Sequence, residues 1–565
     1  MSPTVPGTTP ARYVVPGTTP AGPAPHEQES PVSTGFQVYD TTLRDGAQQE
    51  GIALSVADKL AIVPLLDELG VGYIEGGWPG AVPKDTEFFK RAAKELDLRH
   101  AVLAAFGATR RADARAVDDP QVRALVDAET PVVTVVAKSD VRHVERALRT
   151  TPDEGLAMIA DTVRFLVREG RRVVVDAEHL FDGYRYDPGY SRSAVLTAFE
   201  AGAEVVTLCD TNGGMLPAWV TRIVTELRDA VGPAGILGMH AHNDSGCAVA
   251  NTLAAVEAGC EHVQGTVNGY GERTGNADLL TVVADLELKL GRTVLTPVDG
   301  GGLRELTRIA HAISEITNIS PFARSPYVGA SAFAHKAGLH ASAIRVDPDL
   351  YQHADPAAVG NDMRMLVSDM AGRASIELKG RELGFDLSNR PEVLSAVTNR
   401  VKDAEANGYT YEAADASFEL LLLEEAGAGK PAYFTVESWR TIIERRGGRG
   451  TPATAEATVK LHAGGERLVS TGEGNGPVDA LNHALRHALL GVYPELEPFV
   501  LIDFKVRILD SQLGTDAVTR VLIETTDGSS SWSTVGVGPN LIEASWEALT
   551  DSVIWGLYKA GVPAR

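Results

Sequence analysis

The sequence has few cysteines, few aromatic residues and no long apolar run. Its 565 residues include 3 cysteines, Cys209, Cys247 and Cys260, and 6% aromatic residues. Three unevenly spaced cysteines do not make a disulfide framework or a CxxC metal site, which indicates a reducing compartment. No apolar run approaches the ~20 residues of a membrane span, and the N-terminus has no basic-then-apolar signal pattern. We therefore expect a cytoplasmic protein that does not enter membranes.

An excess of basic charge is also missing. The formal net charge is -23, from 52 Lys and Arg against 75 Asp and Glu. Such a charge argues against general binding of nucleic acid or anionic membranes, although it is compatible with one local basic pocket for an anionic ligand. Hydrophobic residues make up 44% and charged residues 22%, as in ordinary globular proteins. The length exceeds what one hydrophobic core usually serves and predicts two or three domains.

Composition divides the chain into four parts. Residues 1–34 contain VPGTTPA twice and are rich in Pro, Gly and Thr, which predicts a disordered tail. Residues 35–300 alternate short apolar runs with helical stretches, and residues 301–428 are mostly helical in pattern. Residues 429–565 follow the Gly- and Ala-rich hinge EEAGAGKPA. Its AGAGKP segment is not a phosphate loop, because Lys430 is followed by proline rather than Ser or Thr.

Residues 35–300 carry a repeated strand, loop and helix pattern. The eight strand candidates are FQVYDTT, VGYIEGG, HAVLAAFG, PVVTVVA, RRVVVDAE, EVVTLCD, GILGMHAH and HVQGTVNG. Eight such units in about 250 residues predict an α/β fold, the (β/α)8 TIM barrel, with its site at the C-terminal ends of the strands. A doubly wound open sheet is the alternative.

The C-terminal part contains two similar segments. ATVKLHAGGERLVSTGEGNGPVDALNHAL and RVLIETTDGSSSWSTVGVGPNLIEASWEAL each suggest strand, turn, strand, Gly-rich loop and helix. This internal repeat predicts an α+β regulatory domain in which two helices lie on a shared sheet. A ligand crevice between the copies or between subunits would follow. The alternative is a dimerisation module without a ligand.

Charged residues at the predicted strand ends form the candidate site. VYDTTLRDG places Asp40, Arg44 and Asp45 after the first strand, as an ion-pair network or as part of a site. GMHAHNDSG places His240 and His242 two residues apart, so that both imidazoles face the same side of a strand. Paired histidines also occur as ordinary core or surface residues, but their position at a barrel strand end favours metal binding.

The eighth predicted strand adjoins the first in a closed barrel. Its loop, GTVNGYGERTGNAD, contains Glu272, Arg273 and Asn276. Barrel closure would therefore bring Asp45, His240, His242 and Asn276 to one point. Oxygen and imidazole ligands suit Mg²⁺ or Mn²⁺, with Zn²⁺ as the alternative. Further polar residues follow the other strands, namely Glu75, Lys138, His143, Glu178, His179, Asp210 and Thr211.

DTTLRDG, HAHND and GERTGNAD, in this order, resemble the metal-dependent Claisen-condensing and lyase barrels. That family includes 2-isopropylmalate synthase, homocitrate synthase, citramalate synthase and hydroxymethylglutaryl-CoA lyase. The resemblance continues through HKAGLHASA into the repeat, which resembles the family's allosteric amino-acid-binding domain. The lyases lack that domain. YDTTLRDGAQQEGI, YIEGGWPGAVPKD and GNGPVDAL resemble the citramalate synthase branch, which condenses pyruvate with acetyl-CoA to (R)-citramalate on a route to isoleucine.

The resemblance implies roles for the reacting groups. Asp45, His240, His242 and Asn276 would bind a divalent metal. Arg44 would stabilise the developing alkoxide. Glu178 would deprotonate acetyl-CoA or activate the hydrolytic water, and Glu272 would orient Glu178. His335 of HKAGLH would be the fourth catalytic residue and would reach a neighbouring subunit's site. His340 is the alternative to His335.

The resemblance also implies how substrates and partners bind. Thr211 and Thr266 would hold the pyruvate carboxylate. The bulk of Trp78 alone, rather than the resemblance, suggests that it narrows the pocket toward the pyruvate methyl group, or it simply packs as a lid. The expected assembly is a homodimer inhibited by isoleucine. A 2-isopropylmalate or homocitrate synthase is the first alternative. A regulatory binding protein on an inactive barrel is the second.

Overall fold

The computed structural model describes residues 35–296, 300–368, 370–445, 453–509, 514 and 516–565. The tail predicted for residues 1–34 lies outside the described residues. Eight parallel strands form a closed barrel in chain order. They are β1 Gln37–Asp40, β2 Tyr73–Gly77, β3 Val102–Ala108, β4 Val132–Lys138, β5 Arg172–Glu178, β6 Val205–Asp210, β7 Ile236–Ala241 and β8 His262–Gly265. Since β1 pairs with β8, with Tyr39 opposite Gln264, the predicted TIM barrel is confirmed and the open sheet is excluded.

Helices cover the outside of the barrel. They are α1 Val56–Leu69, α2 Pro83–Glu95, α3 Pro120–Asp127, α4 Val141–Arg146, α5 Pro152–Arg168, α6 Leu180–Tyr186, α7 Pro188–Ala201, α8 Pro217–Val231, α9 Ala248–Glu257 and α10 Leu279–Leu288. Polar side chains begin several of them: Ser55, Thr151 and Asp278 each accept a backbone N–H in the first turn. These caps let each strand pass into its helix through a short polar loop.

The barrel interior is apolar at one end and polar near the site. The apolar layer contains Tyr39, Tyr73, Ala104, Val132, Val174 and Val205. The polar layer contains Glu75, Thr134, Asp176, Thr207 and Gln264, each at most 4% exposed. Buried polar groups need hydrogen-bond partners, so a layer of this kind forms a connected network. That network lies directly beneath the strand ends.

The segment after the barrel is mostly helical. Helix α11, Leu306–Thr317, extends the barrel core through Leu306, Ile309 and Ile313. It is followed by β9 Ala334–His335, α12 Gly338–Ile344, β10 Arg364–Met365, α13 Arg373–Glu382, α14 Pro391–Ala406 and α15 Asp415–Glu425, with β9 and β10 forming a small parallel sheet. None of the helices described in the chain combines the length and apolar character that crossing a bilayer requires.

The C-terminal repeat is present, with one more strand in each copy than the sequence suggested. The first copy comprises β11 Thr435–Glu444, β12 Thr454–Ala463, β13 Glu466–Gly474 and α16 Pro477–Leu489. The second comprises β14 Val500–Ile508, β15 Thr519–Thr526, β16 Ser531–Gly538 and α17 Leu541–Lys559. Leu481 and Leu485 of the first helix share one apolar core with Leu549 of the second.

The prediction that both helices lie on one shared sheet is wrong. The strands form two separate antiparallel sheets, β11-β12-β13 and β14-β15-β16. The extra first strand of each copy explains the difference, because it pairs with the central strand on the side left open by the hairpin. Each central strand therefore has both hydrogen-bonding partners within its own repeat.

Candidate active site

A tight turn after β1 places Asp45 and Arg44 over the mouth of the barrel. The carboxylate of Asp40 accepts the Thr42 backbone N–H at 3.0 Å and the Thr42 hydroxyl at 2.7 Å. The Thr42 hydroxyl oxygen in turn accepts the backbone N–H of Val267, after β8, at 2.8 Å. Asp40 therefore has a structural role, because it joins the ends of β1 and β8. Burial raises its pKa to about 7 against the opposing effect of the Thr42 hydrogen bonds.

Asp45, His240 and His242 converge at this mouth. Asp45 Oδ2 lies 3.2 Å from His240 Nε2 and 3.7 Å from His242 Nε2. The two Nε2 atoms are 3.4 Å apart. All three side chains are buried, and their ligand atoms lie within 4.8 Å of one another. One carboxylate oxygen and two imidazole nitrogens at this spacing can hold one metal ion.

The charges of this cluster favour a bound cation. Burial acts to raise the pKa of Asp45, but Arg44 and the two imidazoles outweigh it and hold that pKa well below its usual range. Burial and the nearby charge of His240 lower the pKa of His242 to about 4, so its ring is neutral near pH 7. The pKa of His240 is raised despite burial, because Asp45 stabilises its proton. A positive charge is therefore stable beside the Asp45 carboxylate.

Asn276 supplies a fourth candidate ligand. Its Nδ2 donates to the Tyr270 carbonyl at 2.9 Å, while its Oδ1 is buried and has no hydrogen-bond partner among the residues that the structure describes. The backbone of Asn276 forms a β-bridge with His242, which places the two residues side by side. An orphaned buried amide oxygen is costly unless it has a ligand. The donor set thus fits a divalent metal.

Arg44 is held by groups from the neighbouring strands. Its Nε donates to Glu75 Oε1 at 2.6 Å, and Nη1 lies 3.7 Å from Asp45 Oδ2. Its guanidinium carbon lies 3.8 Å from the centre of the Phe106 ring. Trp78 contacts the same ring edge-to-face, with the centroids 5.4 Å apart. One face of Arg44 is therefore covered by aromatic side chains, and its position is fixed before substrate binds.

A second group of polar residues lies at the ends of β4, β5 and β6, namely Lys138, Glu178 and Thr211. Lys138 and Glu178 are opposite each other in register and form an ion pair with side chains 28% and 24% exposed. Thr211 Oγ1 accepts the His179 backbone N–H at 2.9 Å, which leaves the hydroxyl proton of Thr211 available to a ligand. The rings of His143 and His179 stack with centroids 4.0 Å apart.

Known proteins match this chain along almost its whole length. The family model described as HMGL-like matches residues 35–310. The models for the homocitrate synthase post-HMGL domain-like region and the LeuA allosteric (dimerisation) domain match residues 327–409 and 412–554. An (R)-citramalate synthase of Streptomyces coelicolor is 63% identical over 94% of this chain and 98% of that protein. The chain belongs to the (R)-citramalate synthase family. It is therefore an enzyme of the acyltransferase type.

More distant citramalate synthases also share more identical residues with this chain than a 2-isopropylmalate synthase does. The (R)-citramalate synthase of Aquifex aeolicus is 47% identical over 92% of this chain and 98% of that protein. The 2-isopropylmalate synthase of Pyrococcus furiosus is 30% identical over 91% of this chain and 97% of that protein. Membership of the citramalate synthase family is thus better supported than the 2-isopropylmalate synthase alternative, as the branch motifs predicted.

Thr266, Glu272 and His335 are the remaining predicted site residues. Thr266 is fully buried, and its hydroxyl donates to the Tyr270 carbonyl at 2.7 Å. Glu272 lies at the rim with its side chain 57% exposed, 3.9 Å from Arg273. His335 lies in the small β9–β10 sheet beyond the barrel, and its buried Nε2 has no hydrogen-bond partner in the described part of the chain. Its ring centroid is 6.2 Å from that of His340.

Sequence reasoning missed three residues of the site, Phe106, Asp176 and Gln264. Phe106 covers Arg44, and Gln264 joins His240 to Asp176. Burial, followed by the charge of Glu75, raises the pKa of Asp176 to about 6. For Asp176 and Gln264 the sequence contained one usable signal, the two-residue repeat of a β-strand. Asp176 lies two residues before Glu178, and Gln264 lies two residues before Thr266. Such residues point to the same side of a strand.

Proposed function

We propose that this enzyme condenses pyruvate with acetyl-CoA and hydrolyses the resulting thioester, giving (R)-citramalate and free CoA. The observation that supports this most is the convergence of Asp45, His240, His242 and Arg44 in a chain of the citramalate synthase family. With its three cysteines unpaired, a reducing compartment such as the cytoplasm suits the chain.

Pyruvate lies with its keto oxygen toward Arg44 and its carboxylate toward Thr211. Asp45, His240, His242 and Asn276 would hold a divalent metal, and the two oxygen ligands with no thiolate favour Mg²⁺ or Mn²⁺. When bound, it would supply Lewis-acid polarisation of the keto group. Arg44 stabilises the negative charge that develops on that oxygen, since Glu75 already holds the guanidinium in place. The free hydroxyl proton of Thr211 makes it the better carboxylate donor, because the Thr266 proton is used by Tyr270.

Glu178 acts as the base that removes a proton from the acetyl methyl group of acetyl-CoA. Its neighbour Lys138 forms an ion pair with the carboxylate and holds it in place until the substrate enters. The resulting carbanion attacks the keto carbon of pyruvate, and water then cleaves the thioester to release CoA. Glu272, at the exposed rim, orients Glu178.

Aromatic side chains limit the size of the keto acid. Phe106 lies against Arg44 and Trp78 packs edge-to-face on Phe106, so we expect their bulk to disfavour a branched side chain next to the reacting carbon. This supports pyruvate over 2-oxoisovalerate or 2-oxoglutarate.

A substrate panel tests the proposal. We expect free-CoA release with pyruvate to exceed release with 2-oxoisovalerate or 2-oxoglutarate by at least about tenfold in kcat/KM, because a few extra methyl groups cost that much in a tight pocket. The measurement is thiol release from acetyl-CoA with each acid in turn. A preference for either longer acid would move the function to the related synthases. No release with any acid would favour a binding protein.

A homodimer completes the enzyme. The match to the LeuA allosteric (dimerisation) domain supports it, as do exposed apolar side chains on the outer strands of both C-terminal sheets, including Ile442, Ile443, Ile502 and Val506 at 44% to 62% exposure. His335, whose Nε2 has no partner within its own chain among the described residues, acts in the partner's active site.

An amino-acid effector binds in a crevice between the two C-terminal repeats. This crevice has a volume of about 740 Å³ and is lined by the start of α16, by β14 and by the start of α17. Apolar groups such as Val478 and Phe504 line it together with polar groups such as Asn482 and Asp479. That mixture suits the aliphatic side chain and charged backbone groups of isoleucine.

Filling the crevice is expected to relieve inhibition. We expect isoleucine to inhibit free-CoA release at millimolar concentration or below. Asn482→Trp, which fills the crevice, will raise the half-inhibitory concentration by at least about tenfold. His487→Trp, one turn further along α16 and exposed, is the matched control. The rate of free-CoA release without isoleucine shows whether either substitution lowers the activity of the enzyme by itself. Equal sensitivity in both variants would exclude this crevice as the effector site.

A further inference from the structure

The side chain of Gln264 connects His240 to a buried carboxylate on the far side of the barrel. Its Oε1 lies 2.9 Å from His240 Nδ1. Its Nε2 lies 2.9 Å from Asp176 Oδ1 and 3.1 Å from Thr207 Oγ1. None of these four side chains is more than 5% exposed. The contacts therefore form one buried chain across strands β5, β6, β7 and β8.

The strand register makes this chain rigid. Asp176 pairs with Thr207 across β5 and β6, and His240 pairs with Gln264 across β7 and β8. Gly238 makes room for the next ring, since a Cβ there would lie 2.7 Å from the His262 imidazole. His262 Nε2 also lies 3.4 Å from the Gln264 amide nitrogen. Gln264 thus has a partner on every side and one favourable orientation.

The neighbours of Gln264 determine which of its amide atoms faces His240. An ionised carboxylate only accepts hydrogen bonds, so the atom beside Asp176 is the NH₂ group, which also donates to Thr207. The carbonyl oxygen therefore faces His240 Nδ1, and that nitrogen must carry the proton. In the metal-bound state the lone pair of His240 is then on Nε2, the atom that faces Asp45 and His242.

We propose that Gln264 is a positioning residue that sets the affinity of the enzyme for its divalent metal. By holding the Nδ1–H tautomer and the ring orientation of His240, it keeps Nε2 available as a ligand. Asp176 acts one step further out, by fixing the amide orientation of Gln264. The inference rests on the metal site proposed above, and it assigns the control of metal binding to residues that are not themselves metal ligands.

Metal affinity of the full chain tests this. The probe is Mn²⁺, titrated into metal-stripped enzyme and followed by calorimetry. We expect Gln264→Met, which keeps the length but removes the oxygen, to raise the dissociation constant roughly 10–100-fold, as outer-shell partners of metal-binding histidines do. Gln264→Glu keeps an oxygen for the His240 proton and can share a proton with Asp176, so it should restore affinity to within a few-fold of wild type.

Gln37→Met is the matched control. Gln37 is also buried, and its Oε1 lies 2.9 Å from a histidine Nδ1, that of His262, which is not a metal ligand. We expect its Mn²⁺ affinity to stay near the wild-type value. Equal weakening in Gln37→Met and Gln264→Met would reveal a general packing effect and overturn the proposal, as would unchanged affinity in Gln264→Met. Wild-type enzyme that binds no Mn²⁺ would instead refute the metal site itself.

The tautomer of His240 gives a second test, which is read on the wild-type enzyme itself. Nitrogen-15 spectra of the wild-type enzyme loaded with Zn²⁺ should show a protonated Nδ1 and a metal-bound Nε2 for His240, identified by comparison with His240→Gln. A protonated Nε2 or a metal-bound Nδ1 would overturn the proposal.

Discussion

Replacing Asp45 with asparagine is expected to lower turnover on the order of a thousandfold or more while the chain stays folded. The substitution preserves the shape of the side chain but removes the negative charge that faces His240 and His242. A bound metal contributes several kcal/mol to the reaction, and each ~1.4 kcal/mol is a factor of ten in rate. Folding should survive, because Arg44 keeps its ion pair with Glu75. Free-CoA release measures turnover, Mn²⁺ titration measures metal binding, and thermal unfolding shows whether the chain stays folded.

Asp67→Asn is the control for Asp45→Asn. Asp67 is equally buried and accepts three backbone N–H groups, those of Arg99, His100 and Ala101, before β3. Its replacement should lower the unfolding temperature and change kcat by no more than about twofold, since those amides belong to the scaffold. A large loss of turnover in Asp67→Asn, or full activity in Asp45→Asn, would contradict the metal assignment.

The Asp45→Asn variant also tests whether His335 acts in the partner subunit. Co-expressed with His335→Ala, it gives mixed dimers in which one barrel has Asp45 and receives an intact His335 from the other chain. If the chains pair at random, about half of the dimers are mixed, and one of the two sites in each mixed dimer is complete. About a quarter of wild-type activity should therefore return. No recovery from two separately inactive variants would mean that His335 serves its own chain or neither.

Replacing Arg44 with lysine is expected to lower kcat on the order of a hundredfold, with a smaller change in the KM for pyruvate. The guanidinium uses Nε for Glu75 and turns Nη1 toward Asp45, and its flat face lies on Phe106. A lysine ammonium keeps the charge but cannot make this set of contacts at once. The loss should fall mainly on the transition state, where charge develops on the keto oxygen.

Arg172→Lys is the matched control for Arg44→Lys. Arg172 makes two hydrogen bonds to Glu204, of 2.6 and 2.7 Å, and its guanidinium lies over Tyr73. This pair is at the start of β5, at the opposite end of the barrel from the site. Steady-state kinetics should show kcat within about twofold of wild type, because a partly exposed pair remote from the reaction contributes little. Similar losses in both variants would contradict the role of Arg44.

Much of the fold could be read from the sequence, since its signals are local. The eight barrel strands were identified from short β-branched runs and the polar loops that follow them. Asp45, His240 and His242 were found because functional side chains of such barrels lie at strand ends. Gln264 was missed because one glutamine in HVQGTVNG looks like any polar strand residue. Its importance depends on Asp176 and Thr207, which are distant in sequence.

The sequence alone determined the number of barrel strands, the family and the chemical types at the strand ends. Hydrophobic periodicity and short motifs contain that information within a few neighbouring residues. Only the tertiary structure decided that β1 closes on β8, that Phe106 covers Arg44 and that the C-terminal repeats form two sheets. These features depend on which strand edges pair and which side chains fill the space between them. Pairing and packing are long-range, and they are established when the whole barrel and both repeats bury their cores together.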